Sequence, residues 1–219
     1  MPISRVDQSV WVLRQLGFDA EPTSLAELNQ APTNPLLRGY DLLYNTSDFP
    51  PAQDRQGRPI NAVARARIPE FFAAGGDYIG GQSGGASFLT GAGQVSGLTP
   101  GNAGGNGRSG IVFWDNTGGD NSVITGAMPA RDTAIVDPPT WLSAVPGSWA
   151  VDARLPSSGF FAAGLWPAAT WGSAPGSAII AHGSNATSRM VVFANNPLYR
   201  ADPEREWPMV ATAAYWADD

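Results

Sequence analysis

The sequence of 219 residues contains no cysteine, no lysine and a single histidine, His182. The absence of cysteine excludes disulfides, zinc sites with thiolate ligands and a cysteine nucleophile. Histidine is the usual base in nucleophilic catalysis, so any catalytic triad in this chain has to use His182 or do without histidine. A zinc site would have to combine one histidine with carboxylates. We therefore expect no metal and no cofactor.

Positive charge is also scarce. The 13 basic residues are all arginine, they face 19 acidic residues, and the net charge is −6 with no basic cluster. Phosphate binding needs concentrated positive charge, so we expect no nucleic-acid partner. No apolar run approaches the roughly 18 residues of a membrane-spanning helix, and the first residues lack the charged-then-apolar pattern of a signal peptide. We expect no membrane span.

Hydrophobic residues make up 43% of the chain, together with 26 glycines and 19 prolines. A chain of this length can bury one well-formed core. The glycine and proline content predicts many turns and long connections. We therefore expect residues 1–219 to form a single domain.

The first half of the chain alternates between helical and strand patterns. Apolar residues recur at helical spacing over residues 6–16 and 62–74, whereas residues 39–45 and 78–80 are typical of buried parallel strands. The chain thus opens on a helix that no strand precedes, although a strand normally feeds such a helix in an alternating α/β protein. We expect the sequence to be one piece of a longer protein.

The second half of the chain predicts mainly β structure. Short apolar runs alternate with turn-forming segments, at residues 111–114, 134–137, 149–153, 160–166, 178–181 and 190–194. This spacing is typical of hairpins and antiparallel strands. We expect a β-rich insertion over about residues 95–170 and a closing helix over residues 205–216.

The most informative stretch is a glycine-rich turn between a short strand and a second helix, which we expect to begin near Ala86. The turn reads GQSGG at residues 81–85, a literal G-x-S-x-G. On such a strand-to-helix turn α/β hydrolases hold their nucleophile, with backbone N–H groups nearby as an oxyanion hole. In the structural alternative, the glycines allow close strand–helix packing and Ser83 caps the following helix.

Two stretches together resemble class I glutamine amidotransferase-like domains. The run FFAAGGDYIGGQSGGASFL is similar to their helix, Gly-Gly break, strand and G-x-C-x-G-A elbow, with Ser83 in the place of the nucleophilic cysteine. The run RMVVFANNPLYRADPEREWPMVATAAYW resembles their final strand, loop and closing helix. The resemblance implies a three-layer, flavodoxin-like α/β fold whose parallel core sheet contains the strands at residues 39–45 and 78–80 and late strands.

A narrower resemblance concerns the same tail together with the runs PARDTAIVDPPTWLSAVP and FFAAGLWP. These stretches look like the accessory amidotransferase-like domain at the C-terminus of large secreted bacterial zinc carboxypeptidases. This resemblance implies a secreted protein whose partner is the peptidase domain of the same longer chain, with a peptide or a glycan as a further ligand.

The residues that carry chemistry in the family are absent from this sequence. The family places a histidine and a glutamate, often as H-P-E, after its last strand, where this chain has NPL at residues 196–198. Asparagine does not take a proton at neutral pH, and leucine cannot orient a base. The resemblance therefore implies a non-catalytic accessory or binding domain with a degenerate site, whose candidate binding residues are Gln82, Ser83, Asn196 and Arg200.

The alternative hypothesis is a serine hydrolase or peptidase. Ser83 would be the nucleophile, His182 the base, and Asp115 or Glu204 the acid. In the alternative interpretation, which we favour, His182 is a hydrogen-bonded histidine at the end of a strand. The two hypotheses differ in the distance between Ser83 and His182, because a base has to reach its nucleophile.

Two further groups have both a functional and a structural interpretation. The segment DNTGGDN at residues 115–121 suits a carboxylate loop for Ca²⁺, but its residues also favour a hairpin turn. Trp166 and Trp171 flank a loop and could form an exposed platform for a sugar or a peptide. Trp11 and Trp207 fall on apolar helix faces, and we expect them in the core.

Overall fold

A computed structural model describes residues 5–45, 60–104, 107–201 and 204–218. Within these ranges the α-helices are α1 (Arg5–Gln15), α2 (Leu25–Gln30), α3 (Ala62–Ala73), α4 (Gln82–Gly91) and α5 (Trp207–Asp218). The strands are β1 (Leu42–Asn45), β2 (Asp77–Gly81), β3 (Thr99–Asn102), β4 (Gly110–Asn116), β5 (Arg131–Val136), β6 (Thr140–Ala144), β7 (Ala150–Arg154), β8 (Phe161–Gly164), β9 (Ala178–Ser184) and β10 (Arg189–Phe193). Short 3-10 helices include Gly119–Asn121, Tyr199–Ala201 and Glu204–Glu206.

The strands join one sheet with the main order β1-β2-β10-β9-β7-β4-β5. β1, β2 and β10 are parallel to one another, and β9 pairs antiparallel with β10. β6 pairs with β3 and β9, and β8 pairs with β4, all antiparallel. Six strands of this sheet, β3 to β8, fall within the range expected to be β-rich. The treatment of that range as an insertion in a single domain stays a prediction.

Helices cover both faces of the parallel part of the sheet. The ring of Tyr78 on β2 contacts Phe72 of α3 and Phe88 of α4. Side chains alternate along a strand, so Ile79 and its register partner on β10, Val191, point to the other face. His182 on β9 is in register with Val191 and contacts Trp216 of α5. α5 therefore covers the face opposite α3 and α4, and the expected three-layer α/β fold is confirmed.

Close packing between β2 and α4 depends on two glycines. A Cβ on Gly85 would lie 2.6 Å from the carbonyl carbon of Gly80, and a Cβ on Gly80 would lie 2.9 Å from the Cα of Gly85. Both distances are too short for real atoms, so the helix approaches the strand as closely as it does because neither residue has a side chain. This is the packing role that the sequence offered as the alternative to catalysis.

On the edge strand β5, two backbone N–H groups that point away from β4 donate to acidic side chains. β5 pairs with β4 on one side and ends the main order of the sheet. The N–H of Thr133 donates to the carboxylate of Asp132 at 2.8 Å. The N–H of Ile135 donates to the carboxyl group of Glu206, which belongs to the 3-10 helix before α5.

Two details differ from the expectations. α4 begins at Gln82 and not near Ala86, although the intervening glycines are weak helix formers. Trp11, expected in the core, is 50% exposed. Its ring packs edge-to-face on Trp207, with 6.1 Å between the ring centres, and this contact leaves the other side of the indole in solvent. Among the described helices, none has the length and apolar character needed to cross a membrane.

Candidate functional site

The sharp turn between β2 and α4 is made by Gln82. Its φ is +59°, and among the described non-glycine residues only Arg200 and Ala201 share a positive φ. A side-chain-bearing residue in the left-handed region is strained, and nucleophiles of α/β hydrolases sit on such a strained turn. The sequence placed Ser83 at this position. The geometry places Gln82 there and Ser83 one residue further, inside the first turn of the helix.

The side chain and backbone of Gln82 are both engaged. Gln82 is 3% exposed, and its Nε2 donates to the backbone carbonyl of Asp137 at 2.5 Å. Its backbone N–H donates to the carbonyl of Asn195 at 3.2 Å. The elbow, by which we mean residues 81–85, is thus tied to the segment after β5 and to the segment after β10.

Ser83 does not cap α4, and it has no hydrogen-bonded base among the described residues. It is half-buried, and no hydrogen bond to its hydroxyl is found within the described part of the chain. The N-cap residue of α4 is Gly81, and no side chain caps this helix end. The expected capping by Ser83 therefore does not occur, and none of the described residues is hydrogen-bonded to its hydroxyl as a base would be.

His182 is engaged elsewhere. Its Nδ1 lies 2.7 Å from the Oδ2 of Asp152, and its ring packs edge-to-face on Trp216 at 4.7 Å. That contact lies on the α5 face of the sheet, whereas Ser83 belongs to α4 on the other face. The structure does not bring Ser83 and His182 together, and the acid beside His182 is neither Asp115 nor Glu204.

The partner of His182 belongs to a buried cluster that the sequence analysis missed. Asp152 is 1% exposed and accepts from the Oγ of Ser122 at 2.5 Å. The same Oγ accepts the N–H groups of Ile124 and Thr125, at 3.1 and 2.8 Å. The serine bonds to the carboxylate and not to the imidazole, so this is not the order of a catalytic triad. One sequence signal existed: a carboxylate within the otherwise apolar run WAVDA requires a buried partner.

Class I amidotransferase-like domains have a histidine and a glutamate in the loop after the last strand. At the corresponding positions of this chain, in the loop after β10, Asn196 and Leu198 make structural contacts. The Oδ1 of Asn196 accepts from the N–H of Leu198 at 3.1 Å, and Leu198 is buried. The preceding residue, Asn195, donates from Nδ2 to the Oε2 of Glu206 at 2.5 Å. These side chains therefore hold the loop's own backbone in place, and neither Asn196 nor Leu198 is a base that could act on the elbow.

Glu206 is a buried acid that the sequence analysis treated as part of the closing helix. Burial raises the pKa of Glu206 to about 8, because desolvation outweighs the hydrogen bonds from Asn195 and from the Ile135 N–H. The nearby hydroxyl of Tyr44 at the end of β1 is buried without a hydrogen-bond partner among the described residues. Its pKa is raised by desolvation and, to a smaller extent, by Glu206. At neutral pH the Glu206 carboxyl is therefore mostly protonated.

Arg200 is connected to the elbow only indirectly, through Tyr199 and Asp137. Its guanidinium lies 5.0 Å from the centre of the Tyr199 ring, and its φ is +54°. The hydroxyl of Tyr199 bonds to the carboxylate of Asp137, whose backbone carbonyl accepts from Gln82. Arg200 itself is exposed, so it remains available to a ligand.

The remaining candidate residues, Trp166, Trp171 and Asp115, make contacts that are typical of structural residues. Trp166 is 2% exposed, stacks on Trp141 at 5.9 Å and contacts Phe160, so the expected exposed tryptophan pair is wrong for Trp166. Trp171 is half-buried against Phe160. Asp115 pairs with Arg131 at 2.6 Å, and no group of potential metal ligands is found among the described residues.

In comparisons with known proteins, no family model and no curated protein matches this chain. Solved structures do match it. A glutamine amidotransferase from Thermotoga maritima has a TM-score of 0.61 at 9% identity, covering 98% of this chain and 94% of that one. A cytoplasmic protein from Salmonella typhimurium LT2 has a TM-score of 0.59 at 11% identity, covering 98% and 87%.

A third similar structure is a protein from Thermoplasma acidophilum proposed to be one of the subunits of GMP synthase. It has a TM-score of 0.56 at 14% identity, covering 97% of this chain and 90% of that one. At these identities a likeness establishes the fold and nothing finer. The chain therefore has the fold of glutamine amidotransferase-like domains.

Proposed function

We propose that this chain is a non-catalytic binding or accessory domain that keeps an amidotransferase-like fold around a degenerate site. The observation that carries the proposal is the residue at the strand-to-helix turn. Gln82 occupies it, a carboxamide is not a nucleophile, and its Nε2 is already bonded to the carbonyl of Asp137. Asn196 and Leu198 supply neither a base nor an acid.

No contact in the described part of the chain favours the serine hydrolase alternative. Within the described ranges Ser83 has no hydrogen-bonded base, and His182 is bonded to Asp152 on the opposite face of the sheet. A weakly nucleophilic hydroxyl needs such a base for activation.

The proposal is tested by labelling the protein with a fluorophosphonate probe, alongside the Ser83→Ala variant. We expect the parent protein to be labelled no faster than the variant, and neither protein to hydrolyse glutamine. Fluorophosphonate labelling of the parent that is lost in Ser83→Ala would contradict the proposal. A denatured sample provides the background rate.

We further propose that the domain belongs to a secreted zinc metallocarboxypeptidase and packs on its peptidase domain. Support comes from the resemblance of the two runs that cover β5, β6 and β8, and of the tail that ends in α5. The first of these runs contains Asp137, the residue that holds Gln82. The peptidase domain of such an enzyme should bind this chain in analytical ultracentrifugation, and Ser83→Ala should bind equally well. Two species that sediment independently would contradict this assignment.

A further inference from the structure

A cavity of about 440 Å³ lies where the end of β6, the loop into β7 and the chain entering β9 meet. This volume falls in the range of about 300–1,000 Å³ that is usual for small-molecule sites. None of the elbow residues lines it, so the cavity is separate from the degenerate site.

One wall of the cavity is apolar and rigid. It includes Trp149, which is 8% exposed, together with Pro146 and Pro175. A Cβ on Gly183 would lie 2.3 Å from the Cδ1 of Trp149, so the indole lies directly on the backbone of β9. Because the glycine and the prolines hold this wall in place, an apolar group can bind without first ordering the site.

Among the described residues that line the cavity, Arg154 is the one with a charged side chain. Its Nη1 donates to the carbonyl of Gly176 at 3.3 Å, and no carboxylate in the described ranges pairs with it. Asp115, its register partner on β4, is occupied by Arg131. An arginine presents five N–H donors in a planar fork that fits a carboxylate. The cavity therefore offers an anion site beside its apolar wall.

Two serines on the lining offer acceptors. The hydroxyl of Ser143 donates to the carbonyl of Thr99 at 3.0 Å, and the hydroxyl of Ser177 donates to the carbonyl of Ser173. Each hydroxyl has one proton, which is used in these bonds, and keeps lone pairs that can accept. The lining thus complements a ligand that has a carboxylate, an apolar body and an N–H donor.

We propose that this cavity binds an N-acylated apolar amino acid, either as a free acid or as the C-terminal residue of a peptide. The carboxylate bonds to Arg154, the apolar side chain packs on Trp149, and the amide N–H donates to a serine oxygen. The inference does not depend on the elbow, so it can fail or hold independently of the proposed function.

The test is an NMR titration of the full chain with N-acetyl-L-phenylalanine. The readout is the indole N–H resonance of Trp149, assigned with the Trp149→Phe variant. We expect a saturable shift, and binding of N-acetyl-L-phenylalaninamide weaker by at least about tenfold, because it lacks the charge that Arg154 recognises. An equal affinity for the amide, or no saturable shift, overturns the proposal.

Variants and a second ligand complete the test. Arg154→Gln should weaken binding of N-acetyl-L-phenylalanine by about tenfold. Arg38→Gln, which changes an exposed arginine outside the cavity, should leave the affinity unchanged. Unaltered binding by Arg154→Gln contradicts the assignment. The peptide Ala-Ala-Phe separates the two sources: tighter binding than the acetylated amino acid identifies a peptide C-terminus, and equal binding identifies a free acid.

Discussion

The Nδ2 of Asn195 donates to the buried carboxyl of Glu206 at 2.5 Å, while the backbone carbonyl of the same asparagine accepts the N–H of Gln82. Glu206 is therefore connected to the elbow through one residue. It also accepts the outward N–H of Ile135 on the edge strand. A change in the charge of Glu206 would therefore alter hydrogen bonds that reach both the elbow and the edge of the sheet.

Glu206 predicts a pH dependence of stability. Its pKa is about 8 in the folded protein, raised by burial from 4.5, so the folded state holds a proton that the unfolded state releases between these values. The stabilisation is complete below about pH 4.5 and is lost as the pH rises towards 8. Glu206→Gln, which stays neutral, should exceed the parent in free energy of unfolding by several kcal/mol at pH 8, since each unit of pKa displacement is worth about 1.4 kcal/mol.

Urea denaturation at a series of pH values measures this difference. The gap between Glu206→Gln and the parent should shrink steadily from pH 8 to pH 5. Glu204→Gln is the matched control, because Glu204 lies in the same 3-10 helix and is exposed. A gap that does not vary with pH would show that Glu206 is ionised in the folded protein.

The left-handed backbone of Gln82 predicts opposite effects at two adjacent positions. Gln82→Gly should be more stable than Gln82→Ala by about 1 kcal/mol, because only alanine pays the steric cost of a positive φ. At Ser83, inside the helix, Ser83→Gly should be less stable than Ser83→Ala by about 0.5 kcal/mol. Thermal or urea unfolding of the four variants measures both signs. The same sign at both positions would place the turn elsewhere.

Substitution of Gly85 by alanine is expected to disrupt the packing between β2 and α4. Gly85→Ala places a methyl group 2.6 Å from the backbone of Gly80, so β2 and α4 have to separate, and we expect a loss on the order of 3 kcal/mol. Gly91→Ala is the control within the same helix, because no atom lies within 4 Å of its added Cβ. That variant should be neutral or more stable by up to about 1 kcal/mol. Equal stabilities in urea would contradict the close approach.

The bond between the buried Asp152 and His182 predicts that the histidine has a structural and not a catalytic role. Asp152→Ala leaves Ser122 and His182 without their buried acceptor and should cost on the order of 3 kcal/mol of unfolding free energy. Asp115→Ala, which breaks an exposed ion pair, should cost less than about 1 kcal/mol. Reactivity towards the fluorophosphonate probe should be the same in both variants. A lower labelling rate in folded Asp152→Ala would return His182 to the catalytic hypothesis.

The regular part of the fold was accessible from the sequence because it depends on local periodicity. Apolar spacing placed the helices at residues 62–74 and 205–216 and the parallel strands at residues 39–45 and 78–80, each within a few residues of the observed bounds. The glycines at 80 and 85 were also informative, because close strand–helix packing leaves no other residue available there.

The site was less accessible because its outcome depends on backbone angles and distant partners. The glycine pattern fits two registers, with Ser83 between Gly81 and Gly85 or with Gln82 between Gly80 and Gly84, and only the φ of Gln82 decides between them. Trp166 follows a turn and looked exposed, yet Trp141, which is 25 residues away, covers it.

The acidic side chains that accept the outward N–H groups of β5 have a consequence for assembly. An unpaired edge strand is a template to which another chain can add its own strand. This pairing is the first step of edge-to-edge aggregation. On this edge the amides of Thr133 and Ile135 already have acceptors, so an incoming strand would have to displace Asp132 and Glu206 before forming its first two bonds. The same acid that makes the fold sensitive to alkaline pH thus protects the protein from polymerising through β5.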